Sequence, residues 1–151
     1  MLIKQVTEEL QTELPQLGTF STLSPIPGYH RWVDTTGGRL SPELQRLVLQ
    51  GDDPIDDGAR DAVLGSCAHY LLHAKRRVQP ADPVARFHLR NGARVEWLNW
   101  AGDRSTKGRA ESYGMLVNYL YDPDQLADNH ICYVNDFVVA HSPAVAQLTE
   151  K

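Results

Sequence analysis

The sequence reads as one mixed α/β domain in which a few short strands are separated by helices. Apolar residues recur at i+4 in several segments, two other segments alternate at period two, and Pro, Gly, Ser and Asp punctuate the boundaries. A chain of 151 residues fits a single domain and can bury a sizeable core.

Leu2, Val6, Leu10 and Leu14, with Ile3 beside them, define a first helix over residues 2–14 that Pro15 ends. Residues 19–23 read as a short strand stopped by Pro25 and Pro27. Residues 29–39 have the composition of a loop closing at Gly37-Gly38. Ser41-Pro42 is an N-cap with a first-turn proline; Leu44, Leu47 and Val48 form the apolar face of that helix, and Gly51 ends it. An acidic loop, 51–58, precedes a longer helix from about Asp57 to Val78, with Val63, Cys67, Tyr70, Leu71, Ala74 and Val78 on one stripe. The basic cluster Lys75-Arg76-Arg77 then reads as favourable charge at that helix's C-terminus.

Asp82-Pro83 starts another short helix through Leu89, and Asn91-Gly92 stops it. Residues 94–100 and 115–121 alternate as strands, the latter with 115, 117, 119 and 121 on one face. Residues 103–108 are polar loop, Asp122-Pro123 opens a helix through Tyr133, and Ser142-Pro143 caps a last one. No internal repeat or linker divides the chain.

Composition narrows the function classes. The net charge of -4 argues against a nucleic-acid partner, which calls for excess Lys and Arg. No apolar run approaches the ~18 residues of a membrane span, and the first residues lack a signal-peptide layout. Two cysteines without CxxC spacing, Cys67 within an apolar helical pattern, point to a buried free thiol and a reducing, cytoplasmic setting. His69 and His73 have metal-compatible i, i+4 spacing, but with no Glu between them and no third ligand they read as helix-surface histidines. Neither a phosphate-binding glycine loop nor a Gly-x-Ser-x-Gly elbow occurs.

Two segments are less ordinary. In Phe20 to Gly28, a strand runs into two prolines spaced by one residue, which nearly locks the backbone around Ser24. Local physics favours a turn in which Ser24 bonds nearby backbone; the sharper reading is a hydroxyl held still beside a substrate. His88 shares a helix face with Val84 and Phe87, one turn before Asn91-Gly92. A hydrogen-bonded core histidine is the plainer reading, and a proton donor or acceptor the functional one. Tyr119 stands third, as a substrate contact or, more plainly, a core tyrosine.

In this order these segments resemble the malonyl-CoA decarboxylase family. The residues that carry the resemblance are FSTLSPIPG (20–28), PVARFHLRNGA (83–93), Leu98-Asn99-Trp100 and GMLVNYLYD (114–122), and it extends from LIKQVTEEL (2–10) to the last helix. The resemblance implies a partial acetyltransferase-like (GNAT) fold and conversion of malonyl-CoA to acetyl-CoA and carbon dioxide without metal or organic cofactor. It implies that Ser24 and His88 are the essential serine and histidine. It also implies that a helical N-terminal domain and the first half of the GNAT-like domain are absent. In that case the strand at 19–23 has an unpaired edge, and a homo-oligomer or a partner chain supplies the rest. Two other functions compete with the enzyme: a non-catalytic module that pairs with a longer homologue, and a GNAT-type acyltransferase.

Overall fold

The computed structural model describes residues 2–13, 19–50 and 56–150. Helix α1 (Leu2–Glu13) is followed by strand β1 (Phe20–Pro25), helix α2 (Tyr29–Thr36) and helix α3 (Pro42–Gln50). Helix α4 (Asp57–His73) leads into a hairpin of β2 (Lys75–Arg76) and β3 (Gln79–Pro80), then helix α5 (Pro83–Arg90) and strand β4 (Arg94–Asn99). Helix α6 (Thr106–Ser112), strand β5 (Leu116–Tyr121), helix α7 (Leu126–Asp136) and helix α8 (Pro143–Leu148) follow. Capping chemistry sets several starts: Ser41, Asp56, Asp82, Ser105 and Ser142 each accept a first-turn backbone N–H through the side chain.

Strand β5 is the centre of an antiparallel sheet in the order β1-β5-β4. Its Val117, Tyr119 and Tyr121 are buried on one face, as the period-two pattern requires. Thr22 pairs with Tyr119 and Ser24 with Val117, which puts both β1 side chains on that face. β1 runs two residues beyond its expected end at Leu23. It can do so because, among the described residues, it is an edge strand: Pro25 needs no outward ladder donor there. Along the other edge, β4 is covered by the segment before α8, where Val95 N donates to Ala140 O (2.9 Å) and Ser142 N to Val95 O (2.9 Å). Tyr29 and Val33 of α2, Cys67 and Leu71 of α4 and Ala85 and Leu89 of α5 pack into one core with the sheet. Cys67 is a buried free thiol and Cys132 an exposed one. Among the described residues no helix is long and apolar enough to cross a membrane.

Four further segments differ from the sequence expectation. The supposed loop at 29–39 holds α2, because Tyr29 and Val33 form an apolar i, i+4 pair facing the core. That helix ends where Gly37 takes φ 82° and donates to Val33 O (2.7 Å). Helix α4 stops at His73 rather than Val78, and the chain reverses through the β2–β3 hairpin, leaving Val78 61% exposed. The basic cluster therefore follows the C-terminus of α4 directly, with Lys75 and Arg76 in β2 and Arg77 at the hairpin turn. α6 begins inside the supposed polar loop, since Ser105 Oγ accepts from Gly108 N (3.0 Å). α7 starts three residues after Pro123, because Asp122 O first closes a turn with Gln125 N (2.9 Å). The end of the first helix at Leu14 and most of the acidic loop lie outside the described residues.

Candidate active site

Ser24 and His88 meet, although 64 residues separate them. The strand places Ser24 on the inner face of β1, and α5 carries His88 across that face. Ser24 Oγ lies 3.3 Å from His88 Nε2 and 2.9 Å from Thr22 Oγ1. Both members of the pair are buried.

The imidazole is held from three sides. It stacks on the Tyr119 ring, with centroids 4.4 Å apart and planes 20° from parallel. Its Nδ1 shares a short hydrogen bond with the Tyr121 hydroxyl, and Phe87 packs edge-on at 5.1 Å. Burial pushes the His88 pKa down to about 4, so the ring is neutral at pH 7. A neutral ring has one N–H for two partners. Either Tyr121 donates to Nδ1 and Nε2–H donates to Ser24, or Nδ1–H donates to Tyr121 and Ser24 donates to Nε2. Burial also pushes the Tyr121 pKa up, which keeps its hydroxyl protonated.

This shift carries a stability prediction. The folded pKa of His88 is below the unfolded value, so the unfolded chain binds more protons between about pH 6.5 and 4. The contribution from a neutral His88 is complete above that window and is lost as pH falls through it. Urea unfolding at pH 7 and pH 5 should show a smaller drop in stability for His88→Asn than for the unaltered chain. Equal drops would mean that His88 titrates normally.

Asp82 fixes the helix that carries His88. Its carboxylate is fully buried, with Oδ2 accepting from Val84 N and Ala85 N (both 3.1 Å) at the start of α5. Oδ1 accepts from Gly28 N (3.3 Å) and Tyr70 Oη (3.1 Å). One side chain thus ties α5 to α4 and to the chain just beyond Ser24. Burial raises its pKa, and the donors around it oppose that rise. Gly28 has no room for a side chain, since a Cβ there would collide with Tyr70 Oη.

Of the other sequence candidates, Tyr119 joins the site through its ring, while His69 and His73 lie apart from it. Tyr119 is fully buried behind His88, and its hydroxyl has no hydrogen-bond partner among the described residues. His69 packs on Trp32 (6.0 Å) and accepts from Arg39 Nη1 (3.2 Å), with His73 5.1 Å away. No group of three or more metal-type side chains forms among the described residues. Sequence reasoning missed Thr22, Tyr121 and the full part played by Asp82. A signal existed for Tyr121, since 119 and 121 were placed on the same strand face, but nothing local linked that face to His88.

The chain matches the malonyl-CoA decarboxylase C-terminal domain over residues 1–151. It belongs to this family. The mitochondrial malonyl-CoA decarboxylase of Rattus norvegicus is 33% identical over 177 residues, covering 97% of this chain and 36% of the rat protein. That of Anser anser anser is 33% identical over 163 residues, covering 88% of this chain and 32% of the goose protein. The crystal structure of malonyl-CoA decarboxylase from Agrobacterium vitis is similar at 43% identity and a TM-score of 0.85, over 100% of this chain and 40% of that one. The one from Cupriavidus metallidurans is similar at 42% identity and a TM-score of 0.81, over 97% of this chain and 42% of that one. The chain thus spans 36% of the rat relative's length. The mixed α/β, GNAT-like architecture expected of a malonyl-CoA decarboxylase C-terminal domain is the one found.

Proposed function

We propose that this chain carries the reacting side chains of a malonyl-CoA decarboxylase, a carboxy-lyase that converts malonyl-CoA to acetyl-CoA and carbon dioxide. The observation that carries the reading is the contact between Ser24 and His88, with the imidazole braced by Tyr119 and Tyr121. Breaking the bond to the carboxylate leaves its electron pair on C2, from which it delocalises into the thioester carbonyl as an enolate. C2 then takes up one proton. Substrate anion plus proton gives acetyl-CoA plus carbon dioxide, and the thioester serves as its own electron sink.

The protein must orient the carboxylate, stabilise the enolate oxygen and deliver the proton. Ser24 Oγ–H donates to the carboxylate or the thioester oxygen. His88, neutral in the free protein, gains affinity for a proton when a bound carboxylate lies beside it. The imidazolium so formed gives its Nε2 proton to C2, directly or through Ser24. Tyr119 and Tyr121 position the ring. Both tyrosines stay protonated at neutral pH because burial raises their pKa values.

The same reading makes malonyl-CoA the ligand. The two free cysteines support a reducing compartment, which the cytoplasm of the sequence expectation would provide, whereas the rat and goose relatives are mitochondrial. The direct test incubates the protein with malonyl-CoA and follows the products by chromatography. Acetyl-CoA and carbon dioxide in equal amounts are expected; free CoA and malonate would instead assign a hydrolase and overturn the reading. Tyr121→Phe, which removes the partner of Nδ1, should lower kcat by roughly 10- to 100-fold with KM nearly unchanged. A rise in KM alone would give Tyr121 a part in binding rather than in holding the imidazole.

A further inference from the structure

Behind α5, on the flank away from His88, an open groove of about 710 Å³ lies between α2, the β2–β3 hairpin and α5. Arg31, Trp32, Tyr70, Arg76 and Arg86 line it. Arg86 and His88 are two residues apart on a helix, about 200° around its axis, so they point to opposite sides. A neighbouring depression of about 460 Å³ shares Arg76 and Arg86 and adds Arg77. Four guanidinium groups therefore border one continuous surface, in a chain whose net charge is -4.

No ion pair accounts for this charge. Arg31, Arg76 and Arg77 have no carboxylate partner among the described residues. Arg86 Nη1 donates to Pro80 O at 3.3 Å. Glu111, the carboxylate at the groove's edge, lies 4.0 Å from Lys107 Nζ. Lys75 sits just past the C-cap of α4 at Ala74, where its charge suits a helix C-terminus, and the hairpin carries Arg76 and Arg77 on to the groove. Arg77 occupies its turn with φ 61°, a conformation that costs a residue with a Cβ and that Gly or Asn would adopt more readily.

We propose that this groove is a second ligand site, taking a nucleoside phosphate with its phosphates on the arginines and its base against Trp32. Guanidinium is planar, always charged, and matches phosphate through paired N–H donors. The half-buried indole packs against Tyr70 (5.3 Å) and His69 (6.0 Å), and its part that lines the groove joins Tyr70 in an aromatic wall for a base that a bare phosphate does not need. Gly28 and Tyr70 line the groove and both bond to Asp82, so an occupant touches the groups that hold the start of α5. A free nucleotide and the adenosine-phosphate end of a CoA thioester share the required chemistry. The site does not rest on the decarboxylase reading, because occupancy is measured without turnover.

Titration calorimetry with adenosine 3′,5′-bisphosphate tests the proposal. Saturable binding is expected, weakened about tenfold or more by the double substitution Arg76→Gln, Arg77→Gln and by Arg31→Gln, with the thermal midpoint of each variant unchanged. Binding should also weaken as salt rises. If acetyl-CoA displaces the probe, the occupant is the CoA end of a thioester; if both bind together, it is a free nucleotide. No saturable binding, or equal affinity in the arginine variants, would overturn the site.

Discussion

His88→Asn should lower turnover of malonyl-CoA by about a thousandfold while CoA-thioester binding stays within a few-fold of the unaltered protein. Positioned general acids contribute roughly 10²- to 10⁴-fold, and this histidine is the proton donor of the proposed step. Asn is chosen because its amide can still meet the Tyr121 hydroxyl, which faces Nδ1, while nothing replaces Nε2 beside Ser24. The protein should therefore stay folded and bind its ligand. Kinetics at saturating substrate, with binding measured separately, checks this: kcat should carry the loss. Ser24→Ala should cost about 10²- to 10³-fold by removing one fixed donor to developing charge. Because both side chains act on one substrate, the double variant should be scarcely slower than His88→Asn alone. Full turnover in His88→Asn would remove the histidine from the chemistry.

The two halves of this pair were legible in the sequence for different reasons. Ser24 drew notice because prolines stiffen the chain around it, and its strand proved longer than expected once β1 was seen to be an edge. His88 drew notice because Asp82-Pro83 and Asn91-Gly92 bracket a short helix whose face it shares with Val84. Their contact is a consequence of tertiary packing, and no local pattern spans 64 residues. For the same reason Tyr121, 33 residues beyond His88, could be assigned a face but not a partner.

The misread segments have a common cause. Punctuation by Pro25, Pro27, Gly37 and Gly38 outweighed the single Tyr29–Val33 pair, yet that one turn of apolar spacing was enough to seat α2 against the core. In α4 the apolar stripe ran on to Val78, and periodicity alone cannot register that the chain must turn back. The reversal brings Asp82 within 3.1 Å of Tyr70 Oη, a contact between residues 12 apart that an uninterrupted helix through Val78 would have put out of reach.

That contact makes Asp82→Ala the substitution with the largest expected effect on stability. Two opposing terms decide its sign. Burial disfavours a charged carboxylate here, and removing it relieves that cost. Against this, four donors lose their acceptor at once: Gly28 N, Tyr70 Oη, Val84 N and Ala85 N. Losing an N-cap costs about 0.5–2 kcal/mol, and each buried donor left without a partner about 1–3 kcal/mol. A net loss of roughly 3–5 kcal/mol follows, which at about 2–4 °C per kcal/mol lowers the thermal midpoint by roughly 10 °C. Asp82→Asn keeps one acceptor oxygen and turns an NH₂ toward two of the donors, so its loss should be intermediate. Activity should fall further than unfolding explains in both variants. The 3.3 Å from Ser24 to His88 is set by β1 on one side and by the seating of α5 on the other, and a shift of about 1 Å can cost about 10²-fold in rate. Melting curves together with kcat measured well below each midpoint separate the two effects. A midpoint within 2–3 °C of the unaltered protein, roughly the effect of 1 kcal/mol, would mean that water or backbone replaces the carboxylate and that α5 is seated by packing alone.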